Sequence, residues 1–238
     1  MLIPGVTRTQ IQTLPALVAD YPWCFAAGFH PFFLEQHQSD DLPWLARQLE
    51  GERGQGYRAQ GLVAVGECGL HLTRSTPVEI RRVQQEWFET QVVLARTSRL
   101  PLILHGVGAH DLIVSTLRRL GCHSGGVIHA FSGSEQQARR YLDMGIRIGV
   151  GATFFHPGAR RLRRTLSTLP ADAVLLETDT PDMKAPFWGD DYHSPETIPM
   201  IGTGMASLLG LPSEAFKHQL WANLFDTFPN VQSIFHQH

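Results

Sequence analysis

The sequence predicts an α/β fold made of parallel strand–helix units. Short apolar runs alternate along the chain with longer segments in which apolar residues recur at helical spacing. Strands that alternate with helices in this way form a parallel sheet. The chain has 238 residues, 43% of them hydrophobic, which allows a large core and suits one α/β barrel or two smaller domains. Seven strands are predicted, whereas a closed β/α barrel needs eight.

The predicted elements begin in the middle of a strand. Residues 1–3 resemble the tail of a buried strand, and Thr7 can cap a helix that runs to about Tyr21. The apolar residues of that helix are Ile11, Leu14, Leu17 and Val18. The next predicted strand, over 24–29, ends before Pro31, because proline has no N–H to donate to a neighbouring strand. In order, we expect a strand over 24–29, a helix over 42–49, a polar connection over 51–61, a valine-rich strand over 62–65 and a long helix over 77–97.

The second half of the chain repeats the alternation. The apolar runs at 100–104, 126–128, 146–150 and 173–176 are short enough for buried strands. The segments 110–120, 135–144, 157–169, 196–209 and 213–228 are predicted helices. No sequence repeat or low-complexity segment is present; the period of strand then helix is what repeats.

Composition and charge exclude several classes of protein. A net charge of -2 and a pI near 6.6 give no global basic field for nucleic acid, so such contacts would have to be local or carried by metal ions. Three cysteines are not a disulfide framework, which favours the cytoplasm. The sequence has neither a membrane-length apolar run nor a basic, apolar leader at Met1, and it indicates no obligate protein partner.

Polar residues of metal-binding type stand at the predicted strand ends: His30, Glu67, His105, His129 and Asp179. In a β/α barrel these ends meet at one mouth, where catalytic groups lie. Imidazoles and carboxylates suit zinc, manganese or a mixed pair of metals. A carboxylate that bridges two metals about 3.5–4 Å apart suits the hydrolysis of phosphate esters. Glu67 is flanked by Gly66 and Gly69, which make room for a ligand or another backbone.

Each of these residues also has a purely structural interpretation. A single histidine at a strand end is commonly a hydrogen-bonded core residue, His30 could shape the turn at Pro31, and Asp179 could be a turn residue before Pro181. His110 and Asp111 suit a helix start or a substrate contact. The basic run Arg160, Arg161, Arg163 and Arg164 suits either a solvated helix face or a contact with a phosphate backbone.

Five ordered motifs resemble those of one known family. They are GFHP (28–31), VGECGL (65–70), PLILHG (101–106), GVIHAFSG (126–133) and LLETDTPD (175–182). Together they resemble the TatD family of metal-dependent hydrolases and deoxyribonucleases, and the resemblance covers the whole chain. It implies a TIM-type (β/α) barrel of the metal-dependent hydrolase type as one domain over residues 1–238, with one or two divalent ions, Mg, Mn or Zn.

The resemblance also implies roles for individual residues. Glu67 matches the carboxylate that bridges the metals, His105 and His129 match metal-binding histidines, and Asp179 matches the metal-binding aspartate. His30 matches the histidine that lies near the substrate phosphate or the metals. The implied activity is metal-assisted hydrolysis of a phosphodiester, in DNA or a small substrate, often as a 3′-to-5′ exonuclease. We expect Glu67 and Asp179 to be catalytic, with Asp179 as general base, and His30 to bind substrate.

The sequence departs from the family pattern in two respects. The family opens with a strand ending in D-x-H-x-H, which is absent here, so that the first β/α unit, about 30 residues by the usual size of such units, is expected to be largely missing. The family's GE-x-GLD is GECGLH here, with His71 in place of the aspartate, and Gly106-Val107 follows His105 where many relatives have Ser-Arg. Two alternative functions therefore stay open: a non-catalytic or single-metal barrel that acts as a binding module, and a hydrolase of a small amide or ester.

Overall fold

The structure is a computed structural model that describes residues 1–50, 56–189 and 193–235. Its strands are β1 (Leu2–Gly5), β2 (Cys24–Ala27), β3 (Leu62–His71), β4 (Leu102–Val107), β5 (Gly126–Ile128), β6 (Ile146–Val150) and β7 (Val174–Leu176). Its α-helices are α1 (Arg8–Val18), α2 (Asp41–Glu50), α3 (Val78–Ser98), α4 (His110–Arg119), α5 (Glu135–Leu142), α6 (Arg160–Leu166), α7 (Ile198–Leu209), α8 (Ser213–Thr227) and α9 (Val231–Phe235). The predicted alternation of strands and helices is therefore confirmed.

Contacts divide the described residues into two compact units. The first unit is Met1–Gly126 together with residues 227–235, and the second unit is Val127–Asp226. No helix among the described residues is long and apolar enough to cross a membrane. Of the glycine-rich connection predicted over 51–61, residues 51–55 lie outside the described residues, and 57–60 form a short 3-10 turn.

The first unit is built on four parallel strands in chain order. β1 pairs with β2 from Leu2↔Cys24 onward, β2 pairs with β3, and β3 pairs with β4. The side chains of β2 are all buried, as are nine of the ten residues of β3. α3 packs against β3 and buries Phe88 and Val92. Strands with both faces covered in this way need the near-continuous apolar runs that the sequence has.

β3 is longer than the predicted strand over 62–65. It continues to His71 because its second half pairs with β4, with Gly69 opposite His105 and His71 opposite Val107. The register shifts between Val65 and Cys68. Glu67 therefore lies at an irregularity inside the strand rather than after its end, and the expectation that Glu67 and His105 directly follow their strands was wrong for both.

The glycines around Glu67 allow backbones to approach closely, as the sequence predicted. A Cβ on Gly28 would lie 2.6 Å from the Cα of Gly66. Gly66 has φ +145°, and a Cβ there would meet the carbonyl oxygen of Ile103. Gly69, at φ +147°, would meet the carbonyl oxygen of His105 in the same way. Side chains at these positions would push β2 or β4 away from β3.

The second unit contains the parallel pair β6–β7, with Ile148 opposite Val174. Its core includes Tyr141 and Phe216, both almost fully buried. The buried Asn223 of α8 donates hydrogen bonds to the carbonyl oxygens of Ala171 (2.9 Å) and Val174 (2.8 Å). These bonds hold the start of β7, the strand that leads to Glu177 and Asp179.

Most predicted helices are present with shorter ends. Thr7 caps α1 by accepting a hydrogen bond from the amide N of Gln10, but the helix ends at Val18 rather than Tyr21, and Leu17 is 47% exposed. α6 is shorter than the predicted 157–169. The guanidinium of Arg163 donates to the carbonyl oxygens of residues 154, 156 and 157, and so holds the segment before α6 in a turn. The five-residue helix α9 was not predicted.

Candidate functional site

Three of the predicted site residues lie together in the first unit. Oε1 of Glu67 is 2.9 Å from Nδ1 of His105 and 3.2 Å from Nε2 of His30. All three side chains are largely buried, at 9%, 15% and 11% exposed respectively. Their ligand-type atoms lie within 4.8 Å of one another, which is close enough for a group that holds one metal ion. A buried carboxylate needs such charged or hydrogen-bonding neighbours.

The ring of His30 is oriented by its own backbone. Its Nδ1 accepts a hydrogen bond from the amide N of Phe32 at 3.0 Å, at the start of a 3-10 helix that includes Pro31. A neutral imidazole carries its proton on one nitrogen, so Nε2 must be the protonated one. His30 therefore presents an N–H donor toward Glu67. This arrangement suits hydrogen bonding to an anion better than ligation of a metal.

The backbone before His30 is fixed by α3. The fully buried amide of Gln91 accepts from the N–H of Phe29 at 2.7 Å and donates to its carbonyl oxygen at 3.1 Å. Seven residues earlier, the buried Gln84 accepts from the backbone N of His71 at 2.9 Å. One helix thus fixes the backbone both beside His30 and at His71.

His105 has partners at both ring nitrogens. Its Nδ1 faces Glu67, and its Nε2 lies 3.1 Å from Nδ1 of His71, with the two rings nearly parallel at 12°. Burial lowers the pKa of His71, and the neighbouring His105 lowers it further. Both effects favour the neutral form of the His71 ring.

The second unit brings His129 and Asp179 together. Nε2 of His129 is 3.2 Å from Oδ1 of Asp179, and its Nδ1 is 2.7 Å from Oε2 of Glu177. Oε1 of Glu177 also accepts a hydrogen bond from the amide N of Ala130 at 2.7 Å. A carboxylate that accepts from Nδ1–H leaves the lone pair on Nε2 of His129, which is the usual arrangement of a metal-binding histidine.

Asp179 lies in a turn that other residues hold in place. Its φ of +56° is in the left-handed region, and its carbonyl oxygen accepts from the N of Asp182 at 2.8 Å. The buried His193 approaches the carbonyl oxygens of Thr178 (2.9 Å) and Asp182 (3.1 Å) through Nδ1. Its Nε2 is 2.8 Å from Oγ1 of Thr197. The carboxylate is 38% exposed, so solvent reaches it.

Burial and contacts distinguish the residues for which the sequence left alternative interpretations open. His110 is the first residue of α4 and is buried, and that burial lowers its pKa. Arg160, Arg161 and Arg164 are exposed on α6, as a solvated face would be, whereas Arg163 is engaged with backbone carbonyls. The three cysteines are buried and unbonded to each other, as expected for a chain without a disulfide framework.

Comparison with known families identifies the chain. A family profile described as "TatD related DNase" matches residues 1–229. The chain belongs to the TatD family. A protein of Haemophilus influenzae named as a metal-dependent hydrolase is 33% identical, over 96% of this chain and 86% of its own length. The "3'-5' ssDNA/RNA exonuclease TatD" of Klebsiella pneumoniae is 32% identical over the same shares of the two chains.

A solved structure of a TatD homologue has a very similar fold. The crystal structure of YjjV from Escherichia coli K12 matches with a TM-score of 0.87 and 33% identity, over 96% of this chain and 85% of that one. The TatD resemblance and the α/β fold class of the TIM-type hydrolases, both predicted from the sequence, are therefore confirmed. TatD proteins form a family of metal-dependent hydrolases.

Four residues that support the TatD motifs were not predicted from the sequence. Glu177 directly follows the predicted strand over 173–176 but was given no role. It is two residues before Asp179, and in an extended chain residues two apart point to the same side. Gln84 and Gln91 lie on the buried side of α3, where an amide is unusual enough to be a signal. His193 follows the undescribed residues 190–192 and offers no pattern that predicts its contacts.

Proposed function

We propose that this TatD-family chain is a metal-dependent hydrolase that cleaves phosphodiester bonds in single-stranded nucleic acid from the 3′ end. Support comes from the similarity to the Klebsiella exonuclease over nearly the whole chain. It comes equally from the imidazole–carboxylate groups at strands of both units. The observation that carries the proposal is that an imidazole and a carboxylate of metal-binding type lie side by side in each unit, His105 with Glu67 and His129 with Asp179.

In the first unit, Glu67 and His105 are the proposed metal ligands. A carboxylate oxygen and an imidazole nitrogen 2.9 Å apart are a donor set that divalent zinc or manganese accepts. His30 would instead donate its Nε2–H to a phosphate oxygen of the substrate. Because its Nε2 is 3.2 Å from Glu67, that donor would lie near a cation held by this carboxylate.

In the second unit, His129 and Asp179 are the proposed ligands. Glu177 would fix the ring of His129 and raise the basicity of its Nε2. Asp179, which is partly exposed, would also accept the proton of the attacking water as general base. A bound divalent ion supplies the remaining chemistry by lowering the pKa of coordinated water and stabilising charge on phosphorus oxygens.

Substrate attraction would be local rather than global. The net charge of -2 gives no long-range field for nucleic acid. Contact with the scissile phosphate would therefore depend on His30 and on the metals, and the exposed arginines of α6 carry a local positive charge. An activity that depends on metal and falls only moderately with salt would fit this distribution.

The test is a nuclease assay on the purified chain with Mg²⁺, Mn²⁺ or Zn²⁺, and with a chelator as the metal-free control. A single-stranded oligonucleotide labelled at its 5′ end should be shortened one nucleotide at a time. Asp179→Asn should lower the rate by at least about 100-fold, within the range for a lost general base. Asp182→Asn is the matched control, because Asp182 is exposed in the same turn. Equal loss in both variants, or no loss in Asp179→Asn, would contradict the proposal.

Two other substrates separate the alternative functions. Metal-dependent hydrolysis of p-nitrophenyl acetate, with no activity on bis(p-nitrophenyl) phosphate or the oligonucleotide, would indicate an ester or amide hydrolase. Metal binding by calorimetry without turnover of any of these substrates would indicate a binding module. Cleavage of both phosphodiesters with Asp179 required would support the proposal.

A further inference from the structure

His71 lies against the ring of a proposed metal ligand. It is the last residue of β3, and its Nδ1 is 3.1 Å from Nε2 of His105 on the neighbouring strand. The ring centroids are 5.3 Å apart and the planes differ by 12°. The two rings therefore lie nearly in one plane and meet edge to edge through these nitrogens. The contact is a hydrogen bond, and it restricts the rotation of His105 about its side-chain bonds.

The position of His71 is itself fixed from several sides. Its backbone N donates to Oε1 of the buried Gln84 at 2.9 Å, and the next residue, Leu72, donates from its N to the carbonyl oxygen of Val107 at 2.8 Å. The ring of Phe32 lies edge-on to the ring of His71, with centroids 5.7 Å apart. Because these contacts fix the position of His71, its ring can in turn restrict the orientation of the His105 ring.

The hydrogen bond between the two imidazoles determines which nitrogen of His105 can bind a metal. A neutral imidazole has one N–H. If Nε2 of His105 donates that hydrogen to Nδ1 of His71, then Nδ1 of His105 keeps its lone pair. That nitrogen is 2.9 Å from Glu67. The ligating atom of His105 would then face the carboxylate that holds the same cation.

We propose that His71 is a positioning residue: it accepts the Nε2–H of His105 and so presents Nδ1 of His105 to a cation bound by Glu67. His71 does not touch the cation itself. The inference rests on the proposed function in one respect, that Glu67 and His105 bind a divalent metal. It goes further by assigning a role to a residue that sequence reasoning noted only as a departure from the TatD pattern.

Two amide variants test this assignment with a difference of one methylene. The amide of asparagine is bonded at Cγ, as Nδ1 of histidine is, so His71→Asn keeps an acceptor oxygen where Nδ1 lies. The amide of glutamine is one bond further out, so His71→Gln moves the acceptor away. His71→Phe retains a flat ring without an acceptor. Circular dichroism and thermal midpoints establish that each variant folds.

The measurement is the affinity of each full-length variant for Zn²⁺, by competition with a chromogenic chelator. Loss of a partner that orients a ligand lowers metal affinity about 10–100-fold. We expect that loss at one site in His71→Gln and His71→Phe, and an affinity within about threefold of wild type in His71→Asn. Equal affinities in wild type and His71→Gln, or equal losses in the asparagine and glutamine variants, would overturn the assignment.

X-ray absorption spectra of the zinc-loaded proteins distinguish positioning from ligation. The average number of imidazole ligands per zinc should be the same in wild type and His71→Asn. Fewer imidazoles in His71→Asn would make His71 a ligand and overturn the proposal. A wild-type chain that binds no divalent metal would overturn the proposed function and this inference together. Normal zinc binding that is insensitive to His71 would overturn this inference alone.

Discussion

Substitution of Glu177 tests whether its carboxylate orients the ring of His129 for metal binding. Its carboxylate accepts two hydrogen bonds of 2.7 Å, from Nδ1–H of His129 and from the amide N of Ala130. Glu177→Gln keeps the shape of the side chain but leaves it one acceptor oxygen. Its NH₂ group must then face one of these two donors, so one bond is lost and the charge on the other disappears.

The expected effect follows from the strength of the bond that is lost. A hydrogen bond to a charged group contributes about 1.5–3 kcal/mol. Because about 1.4 kcal/mol corresponds to a factor of 10 in an equilibrium constant, this range predicts a roughly 10–100-fold weaker binding of Zn²⁺ in the second unit. The unfolding free energy should fall as well, by about 1–3 kcal/mol, if the glutamine leaves a buried donor unpaired.

Calorimetric titration with Zn²⁺, together with urea unfolding, measures both effects. Glu196→Gln is the matched control, because it removes the same charge from an exposed position in the second unit. Gly149→Ala should also weaken zinc binding, because a Cβ there would lie 2.6 Å from Oε2 of Glu177 and 2.8 Å from the carbonyl oxygen of Ile128. It should cost more stability than Glu177→Gln, since it displaces backbone as well as the carboxylate. Zinc affinity in Glu177→Gln within twofold of wild type, in a folded protein, would refute the reasoning.

Further predictions concern the first unit. Gln91→Met leaves the buried N–H and C=O of Phe29 without their partner, so urea unfolding should show a loss of roughly 2–6 kcal/mol, at about 1–3 per group. Gln85→Met, which removes a bond to Glu89 on the helix surface, should cost less than about 0.5 kcal/mol. Burial lowers the pKa of His37, whose buried Nδ1 has no hydrogen-bond partner among the described residues. The unfolded state therefore binds the proton more readily, and stability should fall as pH drops below about 6.5. His37→Phe should reduce that fall in urea midpoints between pH 7.5 and 5.5; an unchanged pH dependence would exclude His37 as its source.

The elements that the sequence predicted well are those with local causes. Thr7 caps α1 through its own side chain, and Ser134 and Gln137 form a reciprocal capping box at the start of α5. β5 and β6 have the predicted bounds because glycine or polar residues flank short apolar runs. In each case the residues that decide the structure lie within a few positions of one another, so a single sequence contains the information.

The features that the sequence predicted wrongly or not at all depend on partners far away in sequence. β3 extends past Val65 because β4, some 35 positions later, offers a paired edge. Glu177 acquires its role from His129, which lies 48 positions earlier. Gln91 is explained only by the backbone of Phe29, 62 positions away. The periodicity of apolar residues indicates which face of an element is buried. It does not indicate which polar group of a distant segment will contact that face.

His30 and His129 are each oriented by a neighbouring group that decides which ring nitrogen carries the proton. His30 accepts a backbone hydrogen bond at Nδ1, which places its proton on Nε2 and makes it a donor. His129 faces Glu177 with Nδ1, which places its proton there and leaves Nε2 with a lone pair directed at Asp179. Two histidines of the same kind are thus given opposite roles by a single neighbouring atom each. The proposed function uses both roles, since His30 would donate to a phosphate oxygen and His129 would hold a cation.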